Sequence, residues 1–356
     1  MGPTANPTEI RGATLRPLRV VAIGGGTGLS TLLKGLKNYV LHAPYTGQPQ
    51  PASSVVVIEE LTAIVTVTDD GGSSGRLRRE FGMLPPGDIR NCIVALSEDE
   101  ALMSRLFRYR FPENSKLEGH SFGNLFLFAL FEMTGDFAEA VRLSSEILAT
   151  RGHIYPATTA SCELEALMDN GSRVRGETNI TASKHRIKRL EIIPPNVAPM
   201  QQTLDAIANA DLITIGPGSL FTSLIPNLLV HGIPEAIAES NAIKVYVCNL
   251  MTQANESLGL TASEHIQAIR EHARRKIFDV ALVNVAPLSS ELKEKYALEG
   301  ASQIIVDEDA IRDLGVLPMP GNFLFEERGV ARHAYTRVAE YLMTLAGSRA
   351  LSATPT

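Results

Sequence analysis

Leu18-Arg19-Val20-Val21-Ala22-Ile23 is an apolar run broken by one charge, and Gly24-Gly25-Gly26-Thr27-Gly28 follows it directly. Leu29, Leu32, Leu33 and Leu36 then recur at helical spacing. A buried strand, a glycine turn and a helix in that order place free N–H groups and the positive end of a helix dipole where an anion can approach the backbone. A phosphate is the simplest such anion, although the same glycines also serve tight strand-to-helix packing. The dinucleotide fingerprint GxGxxG stops at Leu29, and no GK[ST] follows to make a phosphate-binding loop of the Walker kind.

Working outward, the same grammar recurs. Leu61–Thr68 reads as a second strand, followed by the Gly/Ser-rich loop Asp69–Gly75. Asp88, after Pro85-Pro86-Gly87, is placed to cap a helix through Leu96, and Phe122–Met133 and Phe137–Leu148 read as helices. Asp169-Asn170-Gly171 between Cys162–Met168 and Arg173–Glu177 is a hairpin signal, so a small antiparallel lobe is expected over Ile154–Ile193. Helices Met200–Asn209, Leu220–Leu229, Pro234–Ser240 and Ala262–Ala273 then interleave with strands Leu212–Ile215, Lys244–Cys248, Val280–Asn284 and Gln303–Val306. The pattern predicts an α/β fold: a mainly parallel sheet covered by helices on both faces, with the lobe inserted. Ligands of such sheets sit outside the carboxyl ends of the strands. Residues 1–17 read as a flexible leader, 18–345 as one domain with the lobe at 154–193, and 346–356 as a flexible tail. His42–Ser54, rich in proline, reads as a surface insertion.

With 33 Lys and Arg against 39 Asp and Glu, the formal charge is −6, which argues against a nucleic-acid binder. Cys92, Cys162 and Cys248 are far apart and form no CxxC pair, so neither a disulfide framework nor a zinc site is expected. No apolar run reaches the length of a signal peptide or a membrane span. These features point to a cytoplasmic protein.

Several clusters carry candidate chemistry. Asp69-Asp70-Gly71-Gly72-Ser73-Ser74-Gly75-Arg76 stands at the end of the second strand, where the carboxylates can accept from ribose hydroxyls or hold Mg²⁺ with a bound nucleotide. An Asx turn is the structural alternative. Arg76, Arg78 and Arg79 can neutralise phosphate or line a helix surface. Asp88, Arg90 and Asn91 open a helix, and Asp88 is a candidate base as well as a cap. Gly119-His120-Ser121-Phe122-Gly123-Asn124 puts an imidazole and an amide at a helix start, so His120 is a second candidate for proton transfer or phosphate contact. Gly216-Pro217-Gly218-Ser219 repeats the strand, glycine turn and helix about 190 residues after the first, with Asn227 further along. Two such turns facing each other across a crevice suit a diphosphate. Asn249 and Thr252, in Asn249-Leu250-Met251-Thr252-Gln253, suit base or sugar recognition.

Taken together, IGGGTG, TDDGGSSGRLR, PPGDIRN, GHSFGN, IGPGSLFTS and NLMTQ closely resemble the bacterial gluconeogenesis factor family of the 2-phospho-L-lactate transferase superfamily, from about Leu18 to Leu342. The resemblance implies a Rossmann-like fold, a cytoplasmic location and binding of a nucleotide sugar such as UDP-N-acetylglucosamine. It also implies a role in morphogenesis and envelope synthesis during gluconeogenic growth. By position it makes Gly24–Gly28 and Gly216–Ser219 the phosphate turns, Asp69 with Asp70 the acidic loop, and Asn249 with Thr252 the border of base and sugar. The chain departs from the family where an acidic residue, glycine and tyrosine usually precede TAS: here Leu258, Gly259 and Leu260 stand there. A ring to stack on the base is therefore missing from this loop. The insertion over His42–Glu60 is longer than the family leads one to expect.

Two functions compete on these residues. A ligand-binding regulatory protein would use nucleotide-sugar occupancy to shift a conformational equilibrium, with a protein partner and a homo-oligomer as candidate assemblies. A transferase would move a phospholactyl-type group from a nucleotide diphosphate donor, with Mg²⁺ at Asp69 or Asp70 and with Asp88 or His120 as base. A nicotinamide dehydrogenase ranks behind both, because the fingerprint fails.

Overall fold

In the computed structural model, which describes residues 9–10, 13–14, 17–41, 56–253 and 256–352, the first glycine turn sits at the carboxyl end of a central strand. The insertion His42–Ser54 lies outside the described residues. A two-residue ladder pairs β1 (Glu9–Ile10) with β2 (Ala13–Thr14) ahead of it. Strands β3 (Leu18–Gly24), β4 (Ile58–Val65), β5 (His153–Pro156), β9 (Leu212–Ile215), β10 (Ile243–Val247), β11 (Val280–Asn284) and β12 (Leu317–Gly321) form one sheet in the order β12-β11-β10-β9-β3-β4-β5. Every pair in it is parallel. Strand order reverses direction between β3 and β9, so the turns after these two adjacent strands meet at the switch point where ligands of open sheets bind.

Helix α1 (Gly26–Leu36) buries Leu29, Leu32, Leu33 and Leu36, the four residues whose spacing predicted it. It packs on α3 (Gly87–Leu96) and on α14 (Tyr335–Ser352). Between β4 and β5 the chain also builds α2 (Gly72–Phe81), α4 (Glu100–Phe107), α5 (Phe122–Thr134) and α6 (Phe137–Ile147). The lobe is β6 (Glu163–Met168), β7 (Arg173–Arg175) and β8 (Ile187–Ile193), antiparallel, with α7 (Glu177–Ala182) between the last two. Helices α8 (Gln201–Asn209), α9 (Ile225–Leu228), α10 (Ile233–Glu239), α11 (Ala262–Ala273), α12 (Ser290–Leu298) and α13 (Glu308–Asp313) complete the layers, and β13 (Leu324–Glu327) pairs with β14 (Val330–His333). No single helix among the described residues is long and apolar enough to cross a membrane.

Several expectations shift. The second strand ends at Val65, and Thr66 and Thr68 instead pair hydroxyl to hydroxyl as the chain leaves the sheet. The Asp69–Gly75 loop is half helix, because glycine at 72 accepts φ +48° and Gly75 packs so tightly on the Asp70 carbonyl that any Cβ would overlap it. Asp88 is not a cap: Pro86 holds the N-cap position of α3 and Asp88 lies inside the first turn. Residues 153–156 belong to the parallel sheet rather than to the lobe. Residues 220–224 form a π-helical turn, and regular α-helix begins only at Ile225. Gln303 makes only an isolated bridge to Met251, and the edge strand is β12. Its sequence, Leu-Pro-Met-Pro-Gly, hides it: Leu317 donates inward to Asp279, so Pro318 and Pro320 occupy the outward positions where no donor is needed. At the other end the expected tail is helix α14 through Ser352, with Ala346 buried.

The α1–α14 contact depends on one missing side chain. A Cβ on Gly35 would stand 2.4 Å from the Tyr335 carbonyl oxygen and 2.9 Å from the Ala339 Cβ. Gly35→Ala should therefore destabilise the chain by roughly 1–3 kcal/mol, the range for overpacking. Chemical denaturation reads this directly, and an unchanged midpoint would contradict the packing.

Candidate functional site

The two glycine turns touch. A Cβ on Gly28 would lie 2.2 Å from the Pro217 carbonyl oxygen, and one on Gly25 would lie 2.7 Å from both Asp88 Oδ2 and Thr66 Cγ2. Gly26, at φ +60°, turns the chain into α1, whose N-terminus receives no side-chain cap from its own N-cap residue. Asp88 instead comes across from α3 and accepts the Gly26 N–H. Burial pushes the Asp88 carboxyl up to about 6; the Asp69 charge adds to this, while the Gly26 N–H and Arg90 oppose it.

The second turn is already occupied by the chain's own groups. Glu256 Oε1 accepts the N–H groups of Phe221 and Thr222, each at 2.9 Å, and so fills the helix start with a buried carboxylate. Asn249 Oδ1 accepts the Gly218 N–H at 3.3 Å, and Gln253 donates to Ser219 Oγ at 2.9 Å. Asn227 bonds the carbonyls of Gly24 and Ser223, which ties one turn to the other. Thr252 exchanges hydrogen bonds with Ser302. Gly216–Ser219 is thus not an open twin of the first turn, and Asn227, Asn249 and Thr252 hold backbone together. Leu260 packs against the core rather than standing free at the end of its loop.

The open space lies beside the first turn, at the carboxyl end of β4. A cleft of ≈260 Å³ is lined by Asp69, Gly71, Gly72, Ser73, Ser74, Gly87, Asp88, Arg90, Asn91, Arg110 and Asn124. Here α2 presents its first N–H groups, and no side chain of its N-cap Gly71 covers them. Ser73 Oγ pairs with His120 Nδ1 at 2.9 Å, and burial, then Arg76, lower the His120 pKa. Arg90 donates to Ser121 Oγ, Asn124 Oδ1 and Asn91 Oδ1, while its Nε is buried without a partner. Burial, then Arg110 and Arg108, depress the Arg90 pKa, while Asp88 and Asp69 oppose the shift. Asp70 does not face this space freely: its Oδ1 takes the N–H and hydroxyl of Thr178 and so pins α7 of the lobe. The lobe delivers a residue the sequence did not mark, Glu177. Burial pushes its carboxyl up to about 9, reinforced by Asp69, Asp88, Asp70 and Glu256. Arg110 was likewise unmarked, and no local pattern flags it, because a loop from the far end of α4 carries it into the cleft. Among the described residues, no group of three or more His, Cys, Asp or Glu is placed to hold a metal ion.

A parallel sheet with a glycine turn at its switch point and a charged cleft beside that turn defines a Rossmann-like α/β protein. The family model described as 2-phospho-L-lactate transferase CofD matches residues 20–324. The chain is 46% identical over 329 residues to the gluconeogenesis factor of Halalkalibacterium halodurans, covering 92% of this chain and 97% of that one. It is 43% identical over 327 residues to the gluconeogenesis factor of Bacillus subtilis, covering 92% and 98%. An X-ray crystal structure of a Bacillus halodurans protein matches with a TM-score of 0.85 at 46% identity, covering 92% of this chain and 99% of that one. The chain belongs to the gluconeogenesis factor family, within that of 2-phospho-L-lactate transferase CofD.

Glu177 yields a pH test. Its carboxyl titrates near 9 in the folded chain against about 4.5 unfolded, so the folded state holds a proton that the unfolded state releases. Its contribution to stability is undiminished below the unfolded value and declines as pH rises toward 9. Glu177→Gln should therefore melt with wild type at acid pH and progressively above it from pH 5 to 9. A difference in melting temperature that does not change with pH would contradict this protonation.

Proposed function

We propose that this chain is a gluconeogenesis factor that binds a nucleotide sugar of the UDP-N-acetylglucosamine kind in the cleft beside the first glycine turn. Its occupancy then regulates morphogenesis and envelope synthesis during gluconeogenic growth, in the cytoplasm. The observation that carries the reading is the mixed lining of one small cleft, with the guanidinium groups of Arg90 and Arg110 on it and the carboxyl groups of Asp69 and Asp88 beside them. A phosphate pairs with the first group, and sugar hydroxyls donating to carboxylates suit the second. The free N–H groups of α2 add to the phosphate wall. The second glycine turn, filled by Glu256, contributes shape rather than phosphate contact.

Asp88 favours a second reading. A buried carboxyl titrating near 6 beside a nucleotide cleft is fit to take a proton at neutral pH, as a transferase base would. Asp69 would then be the chain's ligand to Mg²⁺, with the rest of the coordination supplied by phosphate and water.

Arg110 is exposed, so Arg110→Ala should leave the melting temperature unchanged. It should weaken UDP-N-acetylglucosamine roughly tenfold or more, the loss expected for a charge-assisted bond. Calorimetry with UDP-N-acetylglucosamine, GDP and inorganic phosphate, each with and without Mg²⁺, tests the reading. No binding of any UDP-sugar, with tight Mg²⁺-dependent GDP binding, would replace it by the transferase.

A further inference from the structure

A second cleft, of ≈710 Å³, opens where the lobe meets the body, with β8 on one side and the ends of α9, α10 and α11 on the other. Its two sides are tied together. His272 Nε2 accepts the Leu190 N–H of β8 at 2.9 Å, and Nδ1 donates to the Ala268 carbonyl of its own helix at 2.7 Å. A neutral imidazole thus uses both ring nitrogens, and Phe221 lies edge-on to it with ring centroids 5.9 Å apart. The cleft is therefore formed in advance of any ligand, and its volume and its place at the junction of two units are those of small-molecule sites. Ile192, Ile193, Leu228 and Leu229 give it an apolar lining.

Charge is distributed unevenly around this space. Lys188, Arg189 and Arg274 line the cleft, while Arg270, Arg275 and Lys276 line a hollow that shares Glu271 and Arg274 with it. Six cations thus stand with three carboxylates, those of Glu191, Glu235 and Glu271, in a chain whose formal charge is −6. The carboxylates are engaged: Glu191 pairs with Arg173 and Arg189, Glu235 pairs with Arg275, and Glu271 accepts from Gln267. Lys188 and Arg274 are exposed, and neither side chain has a hydrogen-bond or ion-pair partner among the described residues.

We infer that this cleft is a second ligand site, which takes a free small molecule with an apolar body and a phosphate or carboxylate head. The apolar lining receives the body, and Lys188 and Arg274 receive the head through charge-assisted hydrogen bonds. A bare anion would leave the lining unused, and a neutral apolar molecule would leave the two cations unpaired. The space is concave, so a free molecule fills it where the surface of a bilayer does not. The cleft beside the first glycine turn shares no lining residue with this one, so the second site stands whichever ligand the first takes.

Calorimetry on the full chain with n-octyl phosphate, kept below its micelle concentration, tests this. Octyl phosphate should bind roughly tenfold or more tightly than either inorganic phosphate or octanol, because only it uses both parts of the site. Lys188→Glu should weaken it by about tenfold or more, since repulsion replaces a charge-assisted bond. Arg274 ends α11 at φ +54°, a left-handed position that favours glycine. Arg274→Gly should therefore melt no lower than wild type and still lose about tenfold in affinity, a combination that a merely structural arginine does not give. Four results would each overturn the inference: no binding of octyl phosphate, binding no tighter than that of inorganic phosphate, unchanged affinity in either variant, or capture by phosphatidylglycerol vesicles without binding of monomeric octyl phosphate.

Discussion

The molecule depends on a backbone-to-backbone contact. Gly28 approaches the Pro217 carbonyl so closely that no side chain fits between them, and this fixes the turn after β3 against the turn after β9. Both strands are central and buried, so the contact cannot relax by moving either one. Asn227 reinforces it by bonding Gly24 and Ser223 together, and Glu256 satisfies the N–H groups that the second turn would otherwise leave bare. With the second turn closed in this way, the open cleft lies on the β4 side of the first turn.

That placement explains the electrostatics. Asp88 is drawn to the N–H of Gly26, and Asp69 and the lobe's Glu177 close in beside it. Burial raises the Asp88 carboxyl to about 6 and the Glu177 carboxyl to about 9, so Glu177 holds its proton at neutral pH while Asp88 is poised near neutrality. Asp70 takes another part: by pinning Thr178 it holds the lobe in place, and with it Glu177. Two adjacent aspartates in one motif thus divide the work, one facing the cleft and one anchoring the element that covers it.

Much of the fold follows from local pattern. The spacing of Leu29, Leu32, Leu33 and Leu36 sets α1, and Asp169-Asn170-Gly171 sets the lobe's hairpin, because both depend on near neighbours along the chain. Pattern failed where a tertiary partner overrode it. The prolines of β12 disfavour a strand by local propensity, and β11 supplies the partner that leaves their missing donors facing outward. The π-helical start at Leu220 follows a helix start already filled by Glu256, more than thirty residues away.

By itself the sequence determined the parallel α/β class and the first glycine turn, and it offered Asp69, Ser73, Asp88, Asn91 and Asn124 as candidates, since each lies in a short motif whose chemistry is local. Only the tertiary structure decided which motifs are open to a ligand. Asn249, Thr252, Asn227 and Ser219 carry suitable groups, yet each makes a hydrogen bond to a partner distant in sequence. Arg110 lines the cleft and Glu177 lies close to its carboxyl groups, with no motif to mark either, because a loop and a lobe bring them there. Whether a polar group binds a ligand or holds the fold depends on what else can reach it, and that is a property of packing, not of residue type.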